Sequence, residues 1–320
     1  MDVSVVLPVF NEEENLRPLH DELTQALAAL GRSYEIVYVD DGSSDRSFDV
    51  LREIHERDAH VRVVRFRRNF GQTAAVAAGL ERTTGDIVVT LDSDRQNDPR
   101  DIARLIARLE EGWDLVSGWR LDRQDDWMTR LLPSMAANWM IRAITGVHVH
   151  DYGCMLKAYR GPLARELRLY GEMHRFIPAI AADLGARVDE VVVNHRPRVA
   201  GTSKYGISRV VRVVLDLLTV RFLSVYATRP IHVFGVWGVV LGGAGALILA
   251  MLGFEKLVLG YPLANRPILM LAVLLVVTGV QLVMMGLIGE MLARTYHESQ
   301  GKPIYTVAED LAPRDGRSSA

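Results

Sequence analysis

Two stretches without a charged residue constrain this chain more than anything else in it. Val233 to Phe254 (VFGVWGVVLGGAGALILAMLGF) and Pro267 to Gly289 contain Gln281 as their one strongly polar side chain. At about 1.5 Å of rise per residue, either run crosses the ~30 Å hydrocarbon core of a bilayer as a helix. Buried helices of soluble proteins usually carry charge along one face, and neither run does. The pair therefore predicts a transmembrane hairpin, with Gly242, Gly243 and Gly245 letting the helices approach closely. Arg209, Arg212, Arg221 and Arg229 precede the first run and Arg294 and Lys302 follow the second, against Glu255, Lys256 and Arg266 in the connection. That asymmetry puts both termini on the cytoplasmic side. Met1-Asp2-Val3 leads straight into a predicted strand with no signal-peptide pattern, so the large N-terminal part is expected to stay in the cytoplasm.

Two further segments read as amphipathic helices at the membrane interface. Between Ile207 and Ala227, Arg209, Arg212, Asp216 and Thr219 fall on one helical stripe within Val, Leu and Phe. From Trp127 to Thr145, Arg130, Ser134, Asn138 and Arg142 recur every four residues among Trp127, Leu131, Leu132 and Trp139. A core helix is the alternative for this second segment.

The N-terminal part alternates short β-branched runs with helical periods, as a parallel sheet flanked by helices does. Strands are predicted at Val3 to Leu7, Glu35 to Val39, Val61 to Phe66, Ile87 to Leu91 and Asp114 to Ser117. Leu16, Leu19, Leu23, Ala26, Leu27 and Leu30 mark a helix between the first two, stopped by Gly31. The tail after Ala308 is expected to fray. Lys and Arg number 37 against 39 Asp and Glu, a net charge of −2, which excludes a nucleic-acid reader working by bulk positive charge. A single cysteine excludes intramolecular disulfides and a zinc–cysteine site.

Loops at the carboxyl ends of parallel strands line the ligand crevice of open α/β sheets. Here they carry PVFNEEEN (Pro8 to Asn15), DDGSSD (Asp40 to Asp45), RRNFGQ (Arg67 to Gln72) and DSDRQNDP (Asp92 to Pro99). Carboxylates in three of the four suit hydroxyl and N–H groups or a hard cation, but repel an unshielded phosphate. A divalent ion on Asp92-Ser93-Asp94, with Gln96 close by, Mg²⁺ or Mn²⁺, resolves that conflict. D-x-D alone is common in turns and helix caps; its place after an apolar strand, with Asp40-Asp41 after another, strengthens it. Neither G-x-G-x-x-G nor a P-loop motif is present.

In order and spacing, VVLPVFNEEENL, VDDGSSDRS, RNFGQTAA and TLDSDRQNDP resemble the inverting glycosyltransferases of family 2. With SGWR, DYGCMLKAYR, RVAGTSKY and MGLIGEMLARTY, the resemblance narrows to the polyprenyl-phosphate glycosyltransferases, and within them to those that transfer 4-deoxy-4-formamido-L-arabinose, a lipid A modification. Relatives that move glucose or another hexose share the scaffold. The Q-x-x-R-W motif of processive synthases is missing, so one sugar per turnover is expected.

The resemblance implies an α/β, GT-A (Rossmann-like, mostly parallel) catalytic domain over residues 1–206. It is followed by a juxtamembrane amphipathic helix (207–229), the hairpin (230–293) and a cytoplasmic tail (294–320). It implies a UDP-sugar donor bound by Pro8, Asn11, Glu12, Asp40, Asp41 and Asp92, and Mg²⁺ or Mn²⁺ on Asp92, Asp94 and Gln96. Undecaprenyl phosphate would be the acceptor, its phosphate gripped by Arg120, Arg130, Arg198 and Lys204, with Asp94 and Asp151 as the catalytic carboxylates. Some relatives have a second Asp where Cys154 stands, and a phosphate monoester is already mostly dianionic at neutral pH. Asp151 is thus as much a candidate for orienting or charge-balancing as for a base. Membrane lipids are further partners, the location is the bacterial inner membrane, and the glycine-rich spans permit a homo-oligomer. Competing readings are a non-catalytic binding or lipid-flipping protein, and transfer to another acceptor such as diacylglycerol.

Overall fold

The computed structural model of the protein describes residues 1–121, 142, 146–169, 173–196, 231–259, 262, 266–299 and 305–313. These form two units: Met1–Val220 together with Pro303–Ala320, and Arg221–Lys302. Both expected interfacial helices lie outside the described residues, apart from Arg142, as do Arg130, Arg198 and Lys204.

The first unit is built on β1 (Val3–Val9), α1 (Glu13–Ala29), β2 (Tyr34–Asp40), α2 (Ser47–Arg57), β3 (Val61–Phe66), α3 (Gln72–Leu80) and β4 (Ile87–Thr90). It continues through α4 (Ile102–Glu110), β5 (Leu115–Trp119), β6 (Lys157–Arg160), α5 (Gly161–Glu166), α6 (Ile177–Asp183) and β7 (Val188–Val192). The sheet order is β7-β5-β6-β4-β1-β2-β3-β8, where β8 is Val307–Leu311. β3, β2, β1 and β4 run parallel, β6 enters antiparallel between β4 and β5, and β7 lies parallel to β5. This is the mostly parallel sheet expected.

Every residue of β1 is buried, because helices cover both faces of the sheet. Leu16, Leu19, Leu23 and Leu27 of α1 and Ile102, Leu105, Ile106 and Leu109 of α4 supply apolar stripes at helical spacing. α3 (QTAAVAAGL) is buried all round and packs by having almost no side chain: a Cβ on Gly79 would stand 2.2 Å from Val6 Cγ1. Strand ends differ from the expectation by a residue or two. β1, expected to end at Leu7, runs on through Pro8 to Val9 opposite Asp40.

The tail is the clear correction. Val307–Leu311 does not fray but pairs antiparallel with β3 and closes that edge of the sheet. Asp310 receives Arg62 Nε and Nη2 at 2.9 and 3.0 Å and Arg82 Nε at 3.0 Å. Burial opposes it, but those two guanidinium groups hold the Asp310 carboxyl below its usual range.

In the second unit, α7 (Ile231–Leu259) and α8 (Pro267–Ser299) pack on each other, and Phe234–Leu259 and Pro267–Ile288 are long and apolar enough to cross a membrane. Leu257 and Met270 are 85% and 81% exposed, an apolar surface that suits lipid rather than water. Close approach is set by Gly238, Gly245 and Gly279: a Cβ on Gly238 would stand 2.7 Å from Gly279 O, and one on Gly279 would stand 2.6 Å from Gly242 Cα. Gly243 differs from the expectation, since a Cβ there meets nothing within 4 Å.

Candidate active site

The loops singled out in the sequence all leave the same edge of the sheet, where β1, β2, β3, β4 and β5 end. Because β6 is antiparallel, with Lys157 opposite Thr90, the turn leading into it from Asp151 reaches that edge too.

Loops after β1 and β2 are stitched together. Asn11 has φ +56°, a conformation Asn tolerates. Its N–H donates to Ser43 Oγ at 3.0 Å and its Oδ1 accepts from Ser44 N at 2.8 Å. Glu12 N donates to Ser47 Oγ at 2.8 Å, and Glu12 Oε2 accepts from Asn15 Nδ2 at 2.6 Å. Asp40 is fully buried; burial raises its carboxyl pKa, against the bond accepted from Ser43 N at 3.1 Å. Gly42 must be glycine twice over: its φ is +67°, and a Cβ would stand 2.4 Å from the carbonyl carbon of Arg68.

Asp41 reaches across to the loop after β3, where its two oxygens accept from Phe70 N at 2.7 Å and Gly71 N at 2.9 Å. Burial pushes this carboxyl up to about 6, although both N–H bonds oppose the shift. An unfolded aspartate has released its proton by then, so the ionised carboxylate costs stability as pH rises from about 4 to 6, and the cost is constant above that. The ionised form is the one that can accept two N–H bonds. Protection of the Phe70 and Gly71 amides, followed by hydrogen exchange and corrected for intrinsic rates, is therefore expected to fall as pH drops through about 6. Asp41→Asn should lose it at every pH; pH-independent protection would contradict this.

The D-x-D loop is held from three sides. Asp92 Oδ1 accepts from Gln72 Nε2 at 2.8 Å, Ser93 Oγ donates to the Pro8 carbonyl at 2.9 Å, and Asp94 Oδ1 accepts from Gln96 N at 3.1 Å. Pro8 thus contributes its carbonyl and Gln96 its backbone. Arg95, at φ +60°, turns back to Glu22, which also pairs with Arg196. Arg196 bonds Asp98 at 2.7 Å. Burial opposes ionisation of Asp98, but Arg100 and Arg196 hold its carboxyl at about 2. Gln72 and Arg95 lie inside the RRNFGQ and DSDRQNDP runs but were not picked out as candidates, and Glu22 and Arg196 carry no local signal.

Arg120 and Asp151, assigned separately from the sequence, form one bidentate pair: Nε to Oδ2 at 2.6 Å and Nη2 to Oδ1 at 3.0 Å. Asp151 is 3% exposed and also accepts from Gly153 N at 3.1 Å. Burial works against the guanidinium's charge, yet Asp151 holds it more firmly protonated than an ordinary arginine. Beside the pair, His150 stacks on Trp119 with ring centroids 4.3 Å apart and bonds Glu190. Cys154 is fully buried in the core, and Lys157, also fully buried, donates to the Cys154 carbonyl.

Among the described residues no three His, Cys, Asp or Glu side chains gather as a protein-only metal cage. Mg²⁺ and Mn²⁺ do not need one, since they commonly take one or two carboxylates and complete their shell with water and substrate phosphate. Asp92 and Asp94, two hard oxygen donors on one loop turn, fit that pattern.

Comparison with known proteins agrees with this geometry. The profile described as Glycosyl transferase family 2 matches residues 4–167. A dodecaprenyl-phosphate galacturonate synthase of Rhizobium johnstonii is 44% identical over 313 residues, covering 97% of this chain and 93% of that protein. The chain belongs to glycosyl transferase family 2. An undecaprenyl-phosphate 4-deoxy-4-formamido-L-arabinose transferase of Edwardsiella ictaluri is 40% identical, over 95% of this chain and 93% of that one. Among solved structures, glucosyl-3-phosphoglycerate synthase of Mycobacterium tuberculosis with Mn²⁺, UDP and glucosyl-3-phosphoglycerate superposes with a TM-score of 0.53. It is 22% identical and covers 69% of this chain and 79% of that one, a likeness of fold. The chain is therefore a glycosyltransferase with a GT-A-like fold, and solved structures that share this fold hold Mn²⁺ or Mg²⁺ with UDP.

Proposed function

We propose that this family 2 enzyme transfers one sugar from a UDP-sugar to the phosphate of a polyprenyl carrier, with inversion, at the cytoplasmic face of a bacterial inner membrane. The observation that carries the reading is near-full-length likeness, hairpin included, to two relatives named for synthesis on polyprenyl phosphate. The apolar hairpin supplies the lipid contact such an acceptor needs.

Donor recognition falls to the stitched loops: Asn11, Glu12, Asp40 and Asp41 present acceptors for ribose hydroxyls and the nucleobase N–H. Asp92 and Asp94 would hold the divalent ion, which neutralises diphosphate charge and so improves the leaving group. The bond between the anomeric carbon and the β-phosphate oxygen breaks, UDP keeps the electron pair, and an acceptor phosphate oxygen forms the new bond from the opposite face. A dianionic acceptor has no proton to lose, so no base is required. Asp151 then serves to aim Arg120, whose planar fork suits a phosphate; Arg130, Arg198 and Lys204 would add cations. Holding both reactants in line is the chief catalytic task.

The full chain in detergent with Mn²⁺, undecaprenyl phosphate and labelled UDP-sugars tests the reading, with UDP-galacturonate, UDP-4-formamido-arabinose and UDP-glucose as donors. Organic-extractable label with release of UDP, lost on adding EDTA, is the expected result. No labelled lipid with any donor, or preference for diacylglycerol over the prenyl phosphate, would overturn it.

A further inference from the structure

The strand that follows the membrane hairpin does more than close a sheet edge. Its Glu309 stands opposite Arg65 of β3, and Arg65 stands opposite Asp40 of β2, so three charges of alternating sign lie side by side across three strands. Arg65 Nε is 3.6 Å from Asp40 Oδ2, and Arg65 Nη1 is 3.5 Å from Glu309 Oε1. Asp40 Oδ2 is buried and has no hydrogen-bond partner among the described residues, which makes Arg65 the group that compensates its charge. The Arg65 guanidinium lies over Phe48, its Cζ 4.2 Å from the ring centroid.

A second route reaches Asp41. Tyr305, 6% exposed, stacks on Phe66 with centroids 4.8 Å apart, and Phe66 meets Phe70 edge-on at 5.7 Å. The Phe70 N–H is one of the two that Asp41 accepts. Tyr305 is itself anchored, since its hydroxyl accepts from Arg82 Nη1 at 2.8 Å and donates to Glu81.

We propose that Tyr305–Leu311 is a positioning element of the donor pocket, acting through Arg65 on Asp40 and through Phe66 and Phe70 on Asp41. The inference rests on the reading that Asp40 and Asp41 bind the nucleotide. Chain that has just left the hairpin thereby helps to shape the loops that hold the donor, although none of its residues belongs to those loops. The physical basis is that a buried, partly satisfied carboxylate stays charged and in place only while its counter-charge does.

UDP affinity of the full chain in detergent, by titration calorimetry, tests this alongside kcat and the thermal midpoint. Arg65→Met and Tyr305→Leu are expected to weaken UDP binding roughly threefold to tenfold while kcat at saturating donor stays nearly constant. Exposed Glu309→Lys, which sets a cation against Arg65, should act in the same direction and keeps the test open if Arg65→Met does not fold. Arg65→Lys should recover part of the affinity. Arg62→Met, which removes one of the two arginines on Asp310 and leaves Arg82 to hold the strand in place, should lower the thermal midpoint and leave UDP affinity unchanged. Variants that bind UDP as the parent does, or an Arg62→Met loss equal to theirs, would overturn the inference. A parent chain that binds no UDP would instead overturn the function proposed above.

Discussion

Asp94→Ala is expected to abolish sugar transfer, by ~10³-fold or more, the scale of losing a main source of charge stabilisation in a water-poor site. The argument is one of charge. Asp94 is 8% exposed and shares one short turn with Asp92, and nothing else among the described residues makes up a third acidic ligand there. With Asp94 gone, one carboxylate remains to hold a cation against a diphosphate, in a rim where two of the other three loops are acidic. Asp94 lies in the loop after β4, outside the sheet and helices, and its loss removes the bond from Gln96 N without touching the core, so the fold should persist, as circular dichroism would show. Mn²⁺ binding followed by paramagnetic resonance supplies a readout apart from turnover: titration of Asp94→Ala should leave the free-ion signal, where the parent chain quenches it. Unchanged activity, or unchanged Mn²⁺ uptake, would reject the assignment of Asp94.

The second large effect is expected at Arg120 and Asp151. Side-chain exposure is 13% for Arg120 and 4% for Asp151, so removing one partner takes away the bidentate counter-charge of the other in a poorly solvated place. Arg120→Met should therefore cost about 3–5 kcal/mol of stability, as breaking a buried pair does. Asp151→Asn should cost less, since the amide oxygen can still accept one of the two guanidinium bonds. Combining Arg120→Met with Asp151→Asn removes both charges and should recover most of the stability lost by Arg120→Met. Turnover is expected to separate from stability here. If the pair presents Arg120 to the acceptor phosphate, the double variant stays impaired by about 10²-fold or more, the size expected when a charge clamp on a reacting phosphate is lost. Recovery of turnover together with the thermal midpoint would show the pair to be structural only.

How much was readable in advance can be judged at particular residues. Asp92 and Asp94 were legible because an apolar strand ends just before them, and a strand end in a parallel sheet is where ligands are met. Asp41 was legible as a candidate, but not its two bonds to Phe70 and Gly71, which come from a loop 29 and 30 residues away. Arg120 looked like a free cation because its partner Asp151 lies 31 positions on. Arg65 carries no signal in the sequence beyond its place in the strand Val61 to Phe66. Only the register that puts it between Asp40 and Glu309 gives it an electrostatic task.

The amino-acid order by itself determined the elements and their burial: the β-branched runs, the leucine stripes of α1 and α4, and the two charge-free helices follow from short-range periodicity that needs no partner to be read. Tertiary structure alone decided the pairings. Val307–Leu311 has no local pattern that separates it from a loose tail, and becomes β8 because the edge of β3 is open and Arg62 meets Asp310 across 248 positions of chain. Periodicity encodes which side of an element avoids water, whereas a charge's partner is set by where the folded backbone brings distant atoms together.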